Sequence, residues 1–405
     1  MKNFYYISVA LPNNILGGSD LAALNLLKKL KKKFSITAIS LNNNYCNKYQ
    51  KKSIHHLLRK EKIKFIEFNK NINFNKKPLT IKNFLNTNYI NNQSINYARN
   101  FLENLKFKKN DIIFCFGSAA ISACSNIKCT KIALLEDVQD QVFLFREKFL
   151  INKLNFLKKI IKIFMLKIHF RGYYSWIKGI TKNFDIKYTF SHFDIQKLKK
   201  VVDLSILPIP MEDYINKKKI KKKKFFNISM MSGSLSQDFK GIMLLHNYLL
   251  PALKKKNLLK NCKINLVMRI PKYIPEHMKK IIYNKDLELK KFDRNIVKST
   301  DLLFYPSKYP VGVRSKILFS FQNSILVATS STIKKCIPEL EDFKNCIMSD
   351  NINVLIQKIL KVIKKPHKFQ YMVSNSHLVA KKYSSNLASR NIIKDLKKLN
   401  NLKKD

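Results

Sequence analysis

The chain has 405 residues, enough for two or three domains with full hydrophobic cores. Hydrophobic residues make up 46% and aromatic residues 11%, which excludes a disordered chain, and no apolar stretch reaches the ~18 residues a spanning helix needs. The formal net charge is +52. Lys, Asn, Ile, Phe and Tyr are abundant together while Gly, Pro, Ala and Trp are scarce, a bias that tracks A/T-rich codons and puts Lys on every solvated face. The lysines are spread along the chain without a basic tail or an RNA-binding signature, so nucleic acid is not an expected partner. An anionic membrane surface remains compatible with the charge.

The first half alternates short apolar runs with helical patterns. Strands are predicted at Tyr5–Leu11, Ser35–Leu41, Ile63–Phe68, Asp111–Phe116, Lys131–Leu135, Ile186–Phe190 and Leu204–Leu207. Helices are predicted between them, notably Ser19–Lys33, Ser94–Leu105 and Asp194–Lys200. Strands alternating with helices imply βαβ units and a parallel sheet. Ligand loops then fall at the carboxyl ends of the strands.

Residues 148–180 are basic, apolar and aromatic, with a periodicity that suits a long amphipathic helix. Two readings stand for it: a helix packed on the first domain with Lys on its wet face, or a helix lying on an anionic membrane.

Leu207-Pro208-Ile209-Pro210 reads as an extended connector, because proline restricts itself and the residue before it. A second alternating series follows. Strands are predicted at Phe225–Met231, Cys262–Met268, Asp301–Tyr305 and Ser324–Ala328. Helices are predicted at Phe239–Lys256, Pro275–Tyr283, Val313–Gln322 and Ile352–Ile363, with a last basic helix at Asn386–Leu399. The chain therefore reads as α/β, with two tandem Rossmann-like domains: residues 1–208, residues 209–385, and a C-terminal helix 386–405 expected to return to the first domain.

Seven cysteines without a CxxC pair read as reduced thiols, and the eight histidines lack ligand spacing, so no metal and no cofactor are expected. His55-His56 reads as a solvated pair on a basic helix. Met1-Lys2-Asn3 leads directly into a strand, and the expected location is the cytoplasm, with a peripheral position on the inner face of the membrane as a second option.

Only eight glycines occur, and six sit at strand ends or helix starts. Gly17-Gly18 precedes the first helix, and Gly117 ends an apolar run. Gly233-Ser234 follows the strand that opens the second domain, and Lys240-Gly241 lies further along the same loop and helix start. Gly312 precedes Arg314 and Lys316. A helix start offers free N–H groups and a positive dipole end to an anion, and a lysine adds a full charge.

In order and spacing, these loops resemble the GT-B glycosyltransferases, specifically retaining glycosyltransferase family 4. The matching stretches are Gly17-Gly18-Ser19-Asp20-Leu21, Lys240-Gly241, and Pro306…Gly312…Lys316-Ile317-Leu318 followed by Ile325-Leu326-Val327-Ala328-Thr329. Asp137-Val138-Gln139-Asp140 and Ser191-His192-Phe193-Asp194 resemble two further family segments. The resemblance implies two domains facing a central cleft and a nucleotide-sugar donor held mainly by the second. It also implies a glycan or lipid-linked acceptor against the first domain and chemistry that needs no metal.

The implied donor-binding residues are Gly17, Gly18, Gly233, Ser234, Lys240, Gly312, Arg314 and Lys316. The acidic candidates for taking the acceptor proton are Asp137 and Asp140. Two positions depart from the family pattern. Phe319 stands where an acidic residue usually meets the ribose, and Ser234 stands where the first phosphate loop usually carries arginine. A catalytically degenerate GT-B-like scaffold is therefore a second function class, and a basic nucleic-acid-binding protein a third.

Overall fold

The computed structural model describes residues 1–14, 18–42, 44–68, 92–135, 155–218, 225–232, 235–268, 274, 276–291, 294–310 and 312–402. The chain divides into two units: Met1–Pro210 with Ser385–Asp405, and Met211–Ser384.

The first unit is built on a seven-stranded sheet. Its strands are β1 (Asn3–Ser8), β2 (Ser35–Ser40), β3 (Lys64–Glu67), β4 (Ile112–Phe116), β5 (Thr130–Leu135), β6 (Ile186–Thr189) and β7 (Ser205–Ile206). They run in the order β3-β2-β1-β4-β5-β6-β7, and every pair is parallel. All five residues of β4 are buried, as a central strand covered on both faces requires. Its side chains alternate between two cores: Ile112, Phe114 and Phe116 enter one, and Ile113 and Cys115 the other.

Helix α1 (Gly18–Leu30) and the C-terminal helix Ser385–Leu402 cover the first core, through Leu24, Leu27 and Ala388, Ile392, Leu396. The C-terminal helix is also pinned by a 2.6 Å bond from the Tyr188 hydroxyl to Asp395 Oδ2. Helices α2 (Lys48–Lys60), α3 (Asn92–Glu103) and α4 (Ser118–Cys124) lie between successive strands from β2 to β5. His55 on α2 is not simply solvated: it is half-buried, 2.8 Å from Glu67 Oε2, and stacked on Phe65.

Helix α5 spans Phe156–Thr181, so the predicted segment 148–154 lies outside the described residues. It does not carry the single apolar stripe its composition suggests. Leu166, Tyr173 and Ile177 are buried, Tyr173 and Ile177 entering the second core, while Phe156, Leu157, Ile161 and Phe164 are exposed. At 3.6 residues per turn these sets lie on roughly opposite sides, so the apolar face switches sides midway along the helix. A last short helix, α6 (His192–Leu198), follows β6.

The second unit repeats the plan with β8 (Phe226–Ser232), β9 (Cys262–Met268), β10 (Glu288–Lys290), β11 (Leu302–Tyr305), β12 (Leu326–Thr329) and β13 (Ile347–Met348). The order is β10-β9-β8-β11-β12-β13, again all parallel. One core joins Ile228, Met230, Ile264, Leu266, Phe304 and Ile359, among others.

The helix predicted at Phe239–Lys256 is three pieces: α7 (Leu235–Leu244), a π-helical turn (Leu245–Leu249) and α8 (Leu250–Lys255). Pro251 explains the break. It lacks an N–H and its ring crowds the carbonyl four residues back, so the ladder re-registers in the preceding turn. Helices α9 (Glu276–Ile282), α10 (Arg294–Ser299), α11 (Ser315–Gln322), α12 (Ile352–Lys364) and α13 (Gln370–Lys381) complete the unit.

Candidate functional site

In an open parallel sheet, ligands bind outside the carboxyl ends of the strands where the strand order reverses. In the second unit that point lies between β8 and β11. The two strands end at Ser232 and Tyr305, and the helices that come next in the chain are α7 and α11. Lys316, in the first turn of α11, reaches across both. Its Nζ donates to the carbonyl of Met231 at 3.0 Å and sits 5.4 Å above the Tyr305 ring. The sequence-predicted cation is thus held at the meeting of the two strand ends.

Lys240 is exposed on α7 and borders a small pocket with Met230, Gly241, Tyr305, Ser307 and Lys308. Its volume of about 20 Å³ suits a water-sized group and is too small for a nucleotide. Gly241 has a packing reason for lacking a side chain. A Cβ there would come 2.6 Å from Met230 Cε, in the core face of β8. It lets α7 lie close on the strand.

Gly312 is buried and has φ 61°, the left-handed region that favours glycine. The turn it makes is braced by Arg314, whose Nη2 donates to the Tyr309 carbonyl at 2.6 Å. Arg314 is also the N-cap residue of α11. Its guanidinium is therefore engaged in holding its own loop. Phe319, in the middle of α11, is half-buried. Gly233 and Ser234 lie outside the described residues.

In the first unit the order reverses between β1 and β4. Gly117 follows β4 with φ 84° and ψ 157°, and its carbonyl accepts from Ile121 N at 3.1 Å, opening α4. Gly18 opens α1, while Gly17, Asp137 and Asp140 lie outside the described residues. The β1–α1 loop is closed by Asn13, which donates from Nδ2 to the Leu11 carbonyl at 2.8 Å and from its backbone N to the Asp20 carbonyl at 3.3 Å.

Asp20, at the start of α1, carries a carboxyl group that no sequence pattern singles out. Burial pushes it up to about 6. A carboxyl whose folded pKa exceeds its unfolded value near 3.8 favours folding when protonated. Its stabilising effect is complete below about pH 4 and lost as pH rises through about 6. Asp20→Asn is therefore expected to stabilise the protein at pH 8 by roughly 1–2 kcal/mol, allowing for partial solvent screening. That gain should vanish below pH 4. Urea unfolding of both proteins at the two pH values checks this, and an equal difference at both would contradict it.

Among the described residues, no group of three or more His, Cys, Asp or Glu side chains is placed to hold a metal ion, and no helix is long and apolar enough to cross a membrane.

No family model matches the chain, and no curated protein matches its sequence. Solved structures match its fold over nearly the whole length. Anabaena HepE in complex with UDP and glucose aligns at TM-score 0.64 and 10% identity, covering 98% of this chain and 100% of HepE. An S. aureus TarM variant in complex with Fondaparinux, alpha-GlcNAc-glycerol and UDP aligns at 0.67 and 11%, covering 98% and 99%. Sucrose-phosphate synthase of Thermosynechococcus elongatus aligns at 0.69 and 10%, covering 98% and 99%. The fold is GT-B: two Rossmann-like units, each with a parallel sheet flanked by helices.

Proposed function

We propose that the chain is a glycosyltransferase that moves a sugar from a UDP-sugar donor to a glycan or lipid-linked acceptor, with retention at the sugar carbon, in the assembly of cell-surface polysaccharide. The observation that carries this reading is Lys316, seated on the Met231 carbonyl where β8 and β11 end. The leaving group is a nucleoside diphosphate, so the main task is to stabilise developing negative charge, and a preoriented cation at a strand switch point does that. HepE and TarM, which share the fold, are described with UDP bound.

In this reading Lys316 and Lys240 meet the diphosphate, with amides of the Gly233 and Gly312 loops beside them. Gly17 and Gly18 let the first-domain loop approach the donor. Arg314 acts chiefly by bracing the Gly312 turn. Asp137 and Asp140 follow β5 in sequence and are the candidates for accepting the proton of the acceptor hydroxyl.

Phe319 favours a second reading, a GT-B-like scaffold that turns over no sugar, because a ring cannot accept the ribose hydroxyl bonds a carboxylate accepts. One experiment separates the two. Thermal shift of the purified chain with UDP, GDP and ADP is followed by assay of UDP release from UDP-glucose and UDP-N-acetylglucosamine. A UDP-specific shift with slow release of UDP supports the transferase. A UDP shift without release from any donor–acceptor pair supports the scaffold, and no shift with any nucleotide removes both donor-site readings.

A further inference from the structure

The N-terminal half of α5 is turned the wrong way for a helix that ends at water. Phe156 (76% exposed), Leu157 (73%), Ile160 (49%), Ile161 (58%), Phe164 (63%) and Ile168 (39%) all reach solvent. With Ile163 (39%), they fill one arc of about 160° at 3.6 residues per turn. Over the same stretch Lys159, Lys162 and Met165 are half-buried, and of the apolar residues only Leu166 is buried. Beyond Ile168 the pattern reverses, and Tyr173 and Ile177 enter the core. The C-terminal half anchors the helix, and its N-terminal half presents a ridge of Ile, Leu and Phe to the outside. A contiguous apolar surface of this kind marks an interaction site, since soluble surfaces seldom carry one without a use.

The charge pattern selects the partner. From Phe156 to Thr181 the helix carries Lys158, Lys159, Lys162, Lys167, Arg171 and Lys178, and not one Asp or Glu. Lys158, Lys167 and Arg171 are exposed beside the apolar ridge. A second copy of the chain would bring the same cations against these and repel them. A convex apolar ridge flanked by long cationic side chains fits a bilayer interface. There the ridge sinks among acyl chains while Lys and Arg reach anionic headgroups. The ridge is about 20 Å long, enough to lie in the interface and too short to cross it.

We propose that Phe156–Ile168 seats the protein on an anionic lipid bilayer. The helix binds by insertion of its apolar ridge, and the surrounding positive charge draws it to the surface.

The test is flotation of the purified full chain with vesicles of phosphatidylcholine alone and of phosphatidylcholine mixed with phosphatidylglycerol. The wild-type chain is expected to float with the mixed vesicles, and high salt should release it only in part, because salt screens the charges and not the ridge. The double variant Ile161→Asp, Phe164→Asp should lose about tenfold or more in partitioning. Tyr49→Asp, a control at another exposed ring, should bind as wild type. Circular dichroism establishes that each variant is folded.

Equal binding by wild type and the double variant would overturn the proposal, showing adsorption by general positive charge. Failure of wild type to float would also overturn it. So would a wild-type dimer in sedimentation that the double variant abolishes, which would mean that a second copy covers the ridge. Flotation uses neither sugar nor nucleotide, so its outcome is independent of the transferase reading.

Discussion

Lys316→Ala is expected to lower turnover of a UDP-sugar by roughly two orders of magnitude, with a much smaller change in KM. The ammonium is held by the Met231 carbonyl at 3.0 Å and lies over the Tyr305 ring, so it is oriented before any ligand arrives. A preoriented cation is worth most to the state with most charge, which is the departing diphosphate and not the intact donor. Its loss should therefore appear in kcat. Lys316→Arg should recover part of the activity, since charge is kept while the Met231 bond must be remade with different geometry. Lys335→Ala, at an exposed lysine on a neighbouring segment of the same unit, should have no effect. Steady-state kinetics of the three variants check this. If Lys316→Ala lowered thermal stability but left kcat intact, Lys316 would be a brace between β8 and β11 and nothing more.

The strands were legible in the sequence where burial on both faces writes them as continuous apolar runs. Cys262–Met268 has the same bounds in sequence and structure, and the expected Phe225–Met231 is one residue out of step with β8. The edge strands of the second unit were not legible, although those of the first, β3 and β7, were. β10 has the sequence Glu-Leu-Lys, β13 is two residues long, and neither carries a pattern that exceeds its surroundings. Helix α13 was missed because Ser374, Asn375 and Ser376 interrupt its apolar spacing, and only packing of Met372, Val373 and Val379 makes it a helix.

The site divides in the same way. The spacing from Gly312 to Lys316 is visible in one loop, but the partner that orients Lys316 is a backbone carbonyl 85 residues away, which no side-chain pattern encodes. Arg314 looked like an anion ligand by type alone, and its bond to Tyr309 shows a role within the loop. Gly241 looked like a point of ligand approach, and the nearness of Met230 gives it a packing role as well. Asp20 carries its raised pKa through burial, which a sequence does not display.

Phe304→Ala is expected to cost the second unit about 3–5 kcal/mol, the range for removing a buried aromatic ring from a packed core. Phe304 is fully buried in β11, and its core joins β8, β9 and the helix α12. The surrounding side chains come from strands that are fixed by their ladders, so they cannot close over the missing ring. Phe304→Leu keeps most of the volume and should cost less than half as much.

The damage should reach the site, because Phe304 is bonded in sequence to Tyr305 and the β11–β12 register fixes both residues. A loosened β11 withdraws the ring beneath Lys316, and the UDP-induced thermal shift should shrink with it. The only tryptophan, Trp176, lies in the first unit and reports on that unit alone. In urea, Phe304→Ala should therefore bring forward the loss of circular dichroism while leaving the midpoint of Trp176 emission near its wild-type value. An equal shift of both midpoints would show instead that the two units unfold as one, and the cost would then belong to the whole chain and not to the second core.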